Sequence, residues 1–183
     1  MFIFLSLILC RIPVNKNIVI SSLKDPQVHL VVYDKIVRLK YIIPNVYTPS
    51  DPNVLKVIAI KNKFRLKFAD NSVYKKGKDP IISADDFNKS DDGFLFNINE
   101  TPLGFHIITD DGKCFTQAEL INDTEGNYVK AKDCDEENLE QLFQIRILEN
   151  TYPGLQTQSV LGFKNKNMSD FASKEARSNK DLI

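Results

Sequence analysis

Residues 112–145 read GKCFTQAELINDTEGNYVKAKDCDEENLEQLFQI, and they hold two of the three cysteines of this 183-residue chain. A cysteine opens a β-rich run, the turn signal NDTEGN follows, and NYVKA leads to the second cysteine. Gln141-Leu142-Phe143 then introduces another apolar run. No catalytic centre requires this combination. A small β-module does: strand, turn, strand, and a buried aromatic on the return.

Working outward, the same texture continues. VHLVVYD, IVRLKYII, VLKVIAI, KFRLKFA, GFLFNI, FHIITD, NYVKA and LFQIRIL are rich in β-branched and aromatic residues. Phe64, Leu66 and Phe68 alternate with Arg65 and Lys67, so one face is apolar and the other charged. TPSDPN, ADN, KGKDP, NKSDDG, TDDGK and NDTEGN supply turns between the runs. Long amphipathic helical patterns are missing. The class expected is all-β, a barrel or a sandwich.

Three stretches can be overlaid: VVYDKIVRLKY from Val31, LKFADNSVYKK from Leu66 and IITDDGKCFTQ from Ile107. Their turn acids Asp34, Asp70 and Asp111 are 36 and 41 residues apart. Three units of about 40 residues, each of about four short strands, make the pattern of a β-trefoil. A β-sandwich is the competing arrangement. The expected layout is a signal-like segment and linker over 1–25, the β-domain over 26–148, and a polar tail over 149–183.

Lys and Arg number 24, Asp and Glu 24, and the net charge is zero. Neither sign dominates the field, which argues against general affinity for nucleic acid or anionic membrane. Met1–Cys10 reads MFIFLSLILC, shorter than the roughly 20 apolar residues of a membrane span. It resembles the hydrophobic region of a secretory signal, although no basic residue precedes it and no small-x-small cleavage site follows. A buried N-terminal strand is the other reading. If the segment is removed at or beyond Cys10, Cys114 and Cys134 remain. An even remainder in a secreted chain points to a disulfide; two free thiols in a cytosolic protein are the alternative. The two histidines, His29 and His106, do not cluster with the cysteines, so no zinc site is expected.

On these residues the stretch resembles the ricin B-type lectin repeat, whose Gln-x-Trp signature follows a disulfide-tied pair of strands. Cys114 and Cys134 are 20 apart, Gln141 follows seven later, and Phe143 stands where the family has Trp. Phe96 and Val57 fall at the matching core positions of the other units. The resemblance is good over 104–148, thin over 62–101 and marginal over 26–60. It implies a β-trefoil, a disulfide in the third unit, and shallow pockets for galactose-type sugars. Such a pocket needs a carboxylate to accept sugar hydroxyls and an aromatic face for the apolar side of the ring. The family's sugar set transfers poorly. Its acid position falls on Thr116, its aromatic platform on Lys132, a polar neighbour on Lys130 and its Asn on Glu140; Gln141 is kept. Tyr128 is a possible replacement ring. In the second unit Lys75 and Asp85 fall near the equivalent places.

Catalysis is not expected. The carboxylate pairs Asp85-Asp86, Asp91-Asp92 and Asp110-Asp111 lie in turns, where acids cap or bend the chain. GxSxG, HExxH and a phosphate-cradling glycine loop are absent, and no metal or cofactor is implied. Sequons occur at Asn88, Asn99, Asn122 and Asn167; Pro102 directly after the Asn99 sequon leaves the other three as candidates. The reading is a secreted carbohydrate-binding protein that engages glycans or glycoproteins in adhesion or at a host surface. The alternative is a trefoil that binds protein, as a secreted effector or protease inhibitor, through a loop such as Ile43–Asn53.

Overall fold

The computed structural model describes residues 12–43 and 47–148, together with the backbone of Val160–Leu161. Met1–Cys10, Asn167 and nearly all of the polar tail lie outside the described residues.

The strands follow in sets of four. The first set is β1 (Asn17–Ser22), β2 (Val28–Tyr33), β3 (Ile36–Tyr41) and β4 (Leu55–Ile60). The second is β5 (Lys63–Lys67), β6 (Ser72–Lys75), β7 (Ile82–Asp85) and β8 (Asn97–Glu100). The third is β9 (Phe105–Ile108), β10 (Cys114–Asn122), β11 (Gly126–Lys132) and β12 (Phe143–Ile147). Short 3-10 turns at Asp92–Phe94 and Leu139–Gln141 precede β8 and β12.

Pairing closes a ring. β1 pairs β4, β4 pairs β5, β8 pairs β9, and β12 pairs both β9 and β1. The Phe64–Phe96 bridge supplies the contact between β5 and the approach to β8. Each first strand hands over to its second by the same step: Ser21 opposite His29, Lys67 opposite Ser72, Ile108 opposite Cys114. The hairpins β2–β3, β6–β7 and β10–β11 cap one end and touch one another through β3–β11, β3–β7 and the Ile81–Lys130 bridge. A six-stranded barrel capped by three hairpins is a β-trefoil, and ring closure rules out the sandwich.

The core follows the pleat. Ile20, Leu66 and Ile107 of the first strands meet Val57, Ile98 and Ile145 of the fourth, all buried. Nearer the bridges sit Ile18, Leu55, Phe96, Phe105 and Phe143.

Three expectations change. Residues 17–22, read as linker, form β1, a barrel strand whose residues from Ile18 to Ser22 are all buried. A strand buried on both faces has no alternation to betray it. Asp34 does not match Asp70 and Asp111. It sits with Lys35 between β2 and β3, both at positive φ (50° and 60°), while the other two follow the first strands of their units. The matching positions are Ile18, Phe64 and Phe105, 46 and 41 residues apart. Leu55, not Val57, takes the place of Phe96 and Phe143, because Ile18–Leu55 is the counterpart of Phe64–Phe96 and Phe105–Phe143. The error is two residues and therefore keeps the same face. Within the tail, the backbone of Val160–Leu161 pairs with Ile145 and Arg146 on β12.

Candidate functional site

The third unit carries the disulfide: Cys114 and Cys134 are bonded, with Cα atoms 5.0 Å apart. Beside it Gln141 is almost fully buried. Its Nε2 donates to Thr116 Oγ1 (3.1 Å) and to the Asp133 carbonyl (2.8 Å), and its Oε1 accepts from the Asp135 amide (2.8 Å). Thr116, also buried, donates to the Cys114 carbonyl at 3.1 Å. Both amide hydrogens of Gln141 are therefore used inside the protein. Thr116 and Gln141 tie the Asp133–Gln141 loop to β10 and offer a ligand little.

Of the other residues of the expected pocket, Lys130 is the ladder partner of Thr116, Lys132 that of Cys114, and Glu140 precedes Gln141, but their side chains are engaged elsewhere or exposed. Lys132 is exposed. Glu140 forms an ion pair with Lys24 at 3.1 Å. Lys130 pairs with Glu119, its Nζ lying 5.8 Å from the centre of the Tyr128 ring. Tyr128 sits opposite Arg38 of β3, which carries it toward the first unit. In the second unit Asp85 does occupy the counterpart of Lys132, opposite Ser72, but it pairs with Lys35 at 3.2 Å. The counterpart of Thr116 is Tyr74, not Lys75. Lys75 is buried, bonded to the Gly77 carbonyl, and 3.7 Å from Asp111.

Two of the surface hollows among the described residues carry acidic side chains. One, about 260 Å³, is lined by Lys75, Asp91, Asp92, Asp110 and Asp111 with Gly77 and Gly93. Among the described residues no group of three or more His, Cys, Asp or Glu is placed to hold a metal. The other, about 220 Å³, lies between the first and third hairpins and is lined by Tyr33, Lys40, Thr124 and Glu125. Arg38 lies beside it, 5 % exposed, with Nη1 paired to Glu125 and its guanidinium 5.0 Å from the centre of the Tyr33 ring. Hydrogen bonds from Asn122 and then from Arg38 hold the Glu125 carboxyl below its usual range. The sequence shows each of these residues but not their meeting. One signal was Gly126, at φ 81°, where any Cβ would stand 2.2 Å from the Leu39 carbonyl oxygen.

The histidines are packed. His29 Nδ1 is 2.9 Å from Asn53 Nδ2, and burial, then the charge of Arg146, pushes its pKa down to about 4. His106 is 4 % exposed and burial lowers it too. The sequon residues Asn88 and Asn122 are exposed, each accepting its sequon hydroxyl at 2.7 Å.

No family model matches the sequence, and no curated protein matches it. Solved structures do. The Polyporus squamosus lectin bound to Neu5Acα2-6Galβ1-4GlcNAc superposes with a TM-score of 0.59 at 14 % identity, covering 75 % of this chain and 51 % of that one. The likeness is one of fold. SeviL bound to the asialo-GM1 saccharide gives 0.53 at 9 % identity, over 71 % and 95 % of the two chains. The Haemophilus ducreyi cytolethal distending toxin gives 0.55 at 15 %, over 73 % and 85 %. The chain thus spans about half the length of the Polyporus lectin.

Proposed function

We propose that this chain is a secreted carbohydrate-binding protein, a diverged relative of the ricin B-type lectins that acts in adhesion or at a host surface. The observation that carries this reading is the barrel with three hairpin caps, an architecture shared with lectins whose structures hold glycans. The Cys114–Cys134 disulfide supports an oxidising compartment. Binding would be shallow and weak at a single site, strengthened by several sites or copies acting together. The family's own third-unit pocket is the weaker seat, since both amide hydrogens of Gln141 are used inside the protein and Lys132 replaces the platform. No catalytic role is assigned. The test is a glycan array probed with the folded mature chain, with excess free galactose as competitor. Signal that free sugar removes supports the lectin; silence from a protein shown to be folded overturns it.

A second reading, a protein-binding module such as an effector or inhibitor, is favoured by the loop before β4. Arg146 donates to Tyr47 Oη (3.2 Å), the Tyr47 ring stacks near His29, and Thr48 Oγ1 donates to Asp51 Oδ1 (2.8 Å). A segment fixed in advance, here 47–51, loses less entropy when it docks. This reading predicts indifference to free sugar and sensitivity to changes at Pro49 and Ser50.

A further inference from the structure

We propose that the glycan seat is the cleft between the first and third hairpins, and that it takes a neutral hexose through a vicinal diol. The inference rests on the lectin reading and adds its location and ligand class.

A sugar ring offers an apolar face and a rim of hydroxyls, so a seat needs a free aromatic face with acceptors and donors beside it. The cleft holds that set. Tyr33 is 54 % exposed, and the Arg38 guanidinium covers one face of its ring. More than half of Tyr33 stays exposed at the cleft that Glu125 and Lys40 also line. Glu125 is oriented rather than spent: Oε2 accepts from Arg38 and Oε1 from Asn122 Nδ2 at 3.1 Å. Each carboxylate oxygen keeps a lone pair, and two adjacent acceptors match two adjacent hydroxyls. Lys40 lines the same cleft and has no ion-pair partner among the described residues, so its ammonium can donate to a hydroxyl or ring oxygen. The Thr124 hydroxyl is used as a donor to Asn122 and remains an acceptor.

Arg38 and Lys40 against Glu125 leave the cleft one positive charge, so the neutral class rests on the paired acceptors of Glu125 and not on charge balance. The walls are also fixed in advance. β11 pairs with β3 at Asn127–Leu39 and Tyr128–Arg38, and Gly126 presses its backbone against Leu39 and Lys40. None of Thr116, Lys132, Glu140 and Gln141 lines this cleft.

The experiment uses the whole mature chain and polyacrylamide probes carrying galactose, mannose, glucose, a sulfated galactose or a sialylated sugar. Tyr33→Ala and Lys40→Met are compared with Lys132→Ala, with thermal unfolding run on each. The expected result is a tenfold or greater loss for Tyr33→Ala and several-fold for Lys40→Met at unchanged melting temperature, with Lys132→Ala inert. Methyl glycosides lacking one hydroxyl of the diol should fail to compete. Sugar binding that survives both cleft changes, or that Lys132→Ala abolishes, overturns the location and leaves the lectin reading standing. Binding confined to sulfated or sialylated probes overturns the ligand class. A folded wild type that holds no probe removes the lectin reading itself, and this proposal with it.

Discussion

The second and third units build the same turn and fill it with opposite chemistry. Asp91 and Asn138 each cap a 3-10 turn, accepting from the amide two residues on at 2.9 and 3.0 Å. Two residues before a buried phenylalanine stands Phe94 in one unit and Gln141 in the other, both buried. Opposite Gln141 is Thr116, and a disulfide adjoins. Opposite Phe94 is Tyr74, stacked at 4.4 Å, with Phe87 edge-on at 5.6 Å and Arg65 over Phe87 at 3.9 Å. The fold asks only that this corner be filled and satisfied. A polar knot does so by exact partners and fails when one is lost. A ring stack does so by area. The first unit uses a third solution, Asn53 against His29.

These differences can be broken one unit at a time. Phe94→Ala should be the costliest, about 4 kcal/mol in a urea melt, because it leaves a cavity under two rings. A cost below that of Gln141→Ala would mean the stack is dispensable. Replacing both cysteines by serine should cost about 3 kcal/mol, the closure entropy of a loop of this length. Near-equal stability of the reduced and oxidised proteins would remove the disulfide from the account.

His29 sharpens the comparison by pH. Its folded pKa, about 4, lies below the unfolded 6.5, so the unfolded chain binds the proton first. Stability is full above pH 6.5 and is lost as the pH falls toward 4, by up to about 3 kcal/mol. His29→Gln should flatten that slope in melts between pH 7 and 4. Gln141→Ala should cost about 2 kcal/mol, since Thr116, the Asp133 carbonyl and the Asp135 amide all lose a partner. Gln141→Glu retaining full stability would contradict the two donated bonds.

The β-class, the trefoil and the Cys114–Cys134 link were legible because they rest on local pattern: β-branched runs, turn residues, a cysteine pair and a core aromatic. β1 was not, since NIVISS is too short and too evenly buried to alternate. Missing it shifted the first unit's repeat mark to Asp34. The residues transferred by resemblance were legible only as neighbours. Gln141 and Thr116 do meet, at 3.1 Å, but a motif does not show that both amide hydrogens of a buried glutamine are already used. The cleft of Tyr33, Lys40 and Glu125 joins residues nearly a hundred positions apart, and no local rule brings them together.

Ring closure also sets a timetable. β1 runs antiparallel to β12 from Ile18–Ile147 to Ser22–Phe143, and the Leu148 amide donates to the Asn17 carbonyl at 2.8 Å. On a ribosome β1 therefore emerges more than a hundred residues before its main partner. At usual elongation rates that is a delay on the order of ten seconds. Throughout it an apolar strand waits with an unpaired edge, the condition that invites pairing with another chain. Nascent-chain arrest just before and just after β12 should separate a protease-sensitive chain from a resistant one, and the window between the two is where a chaperone would be needed.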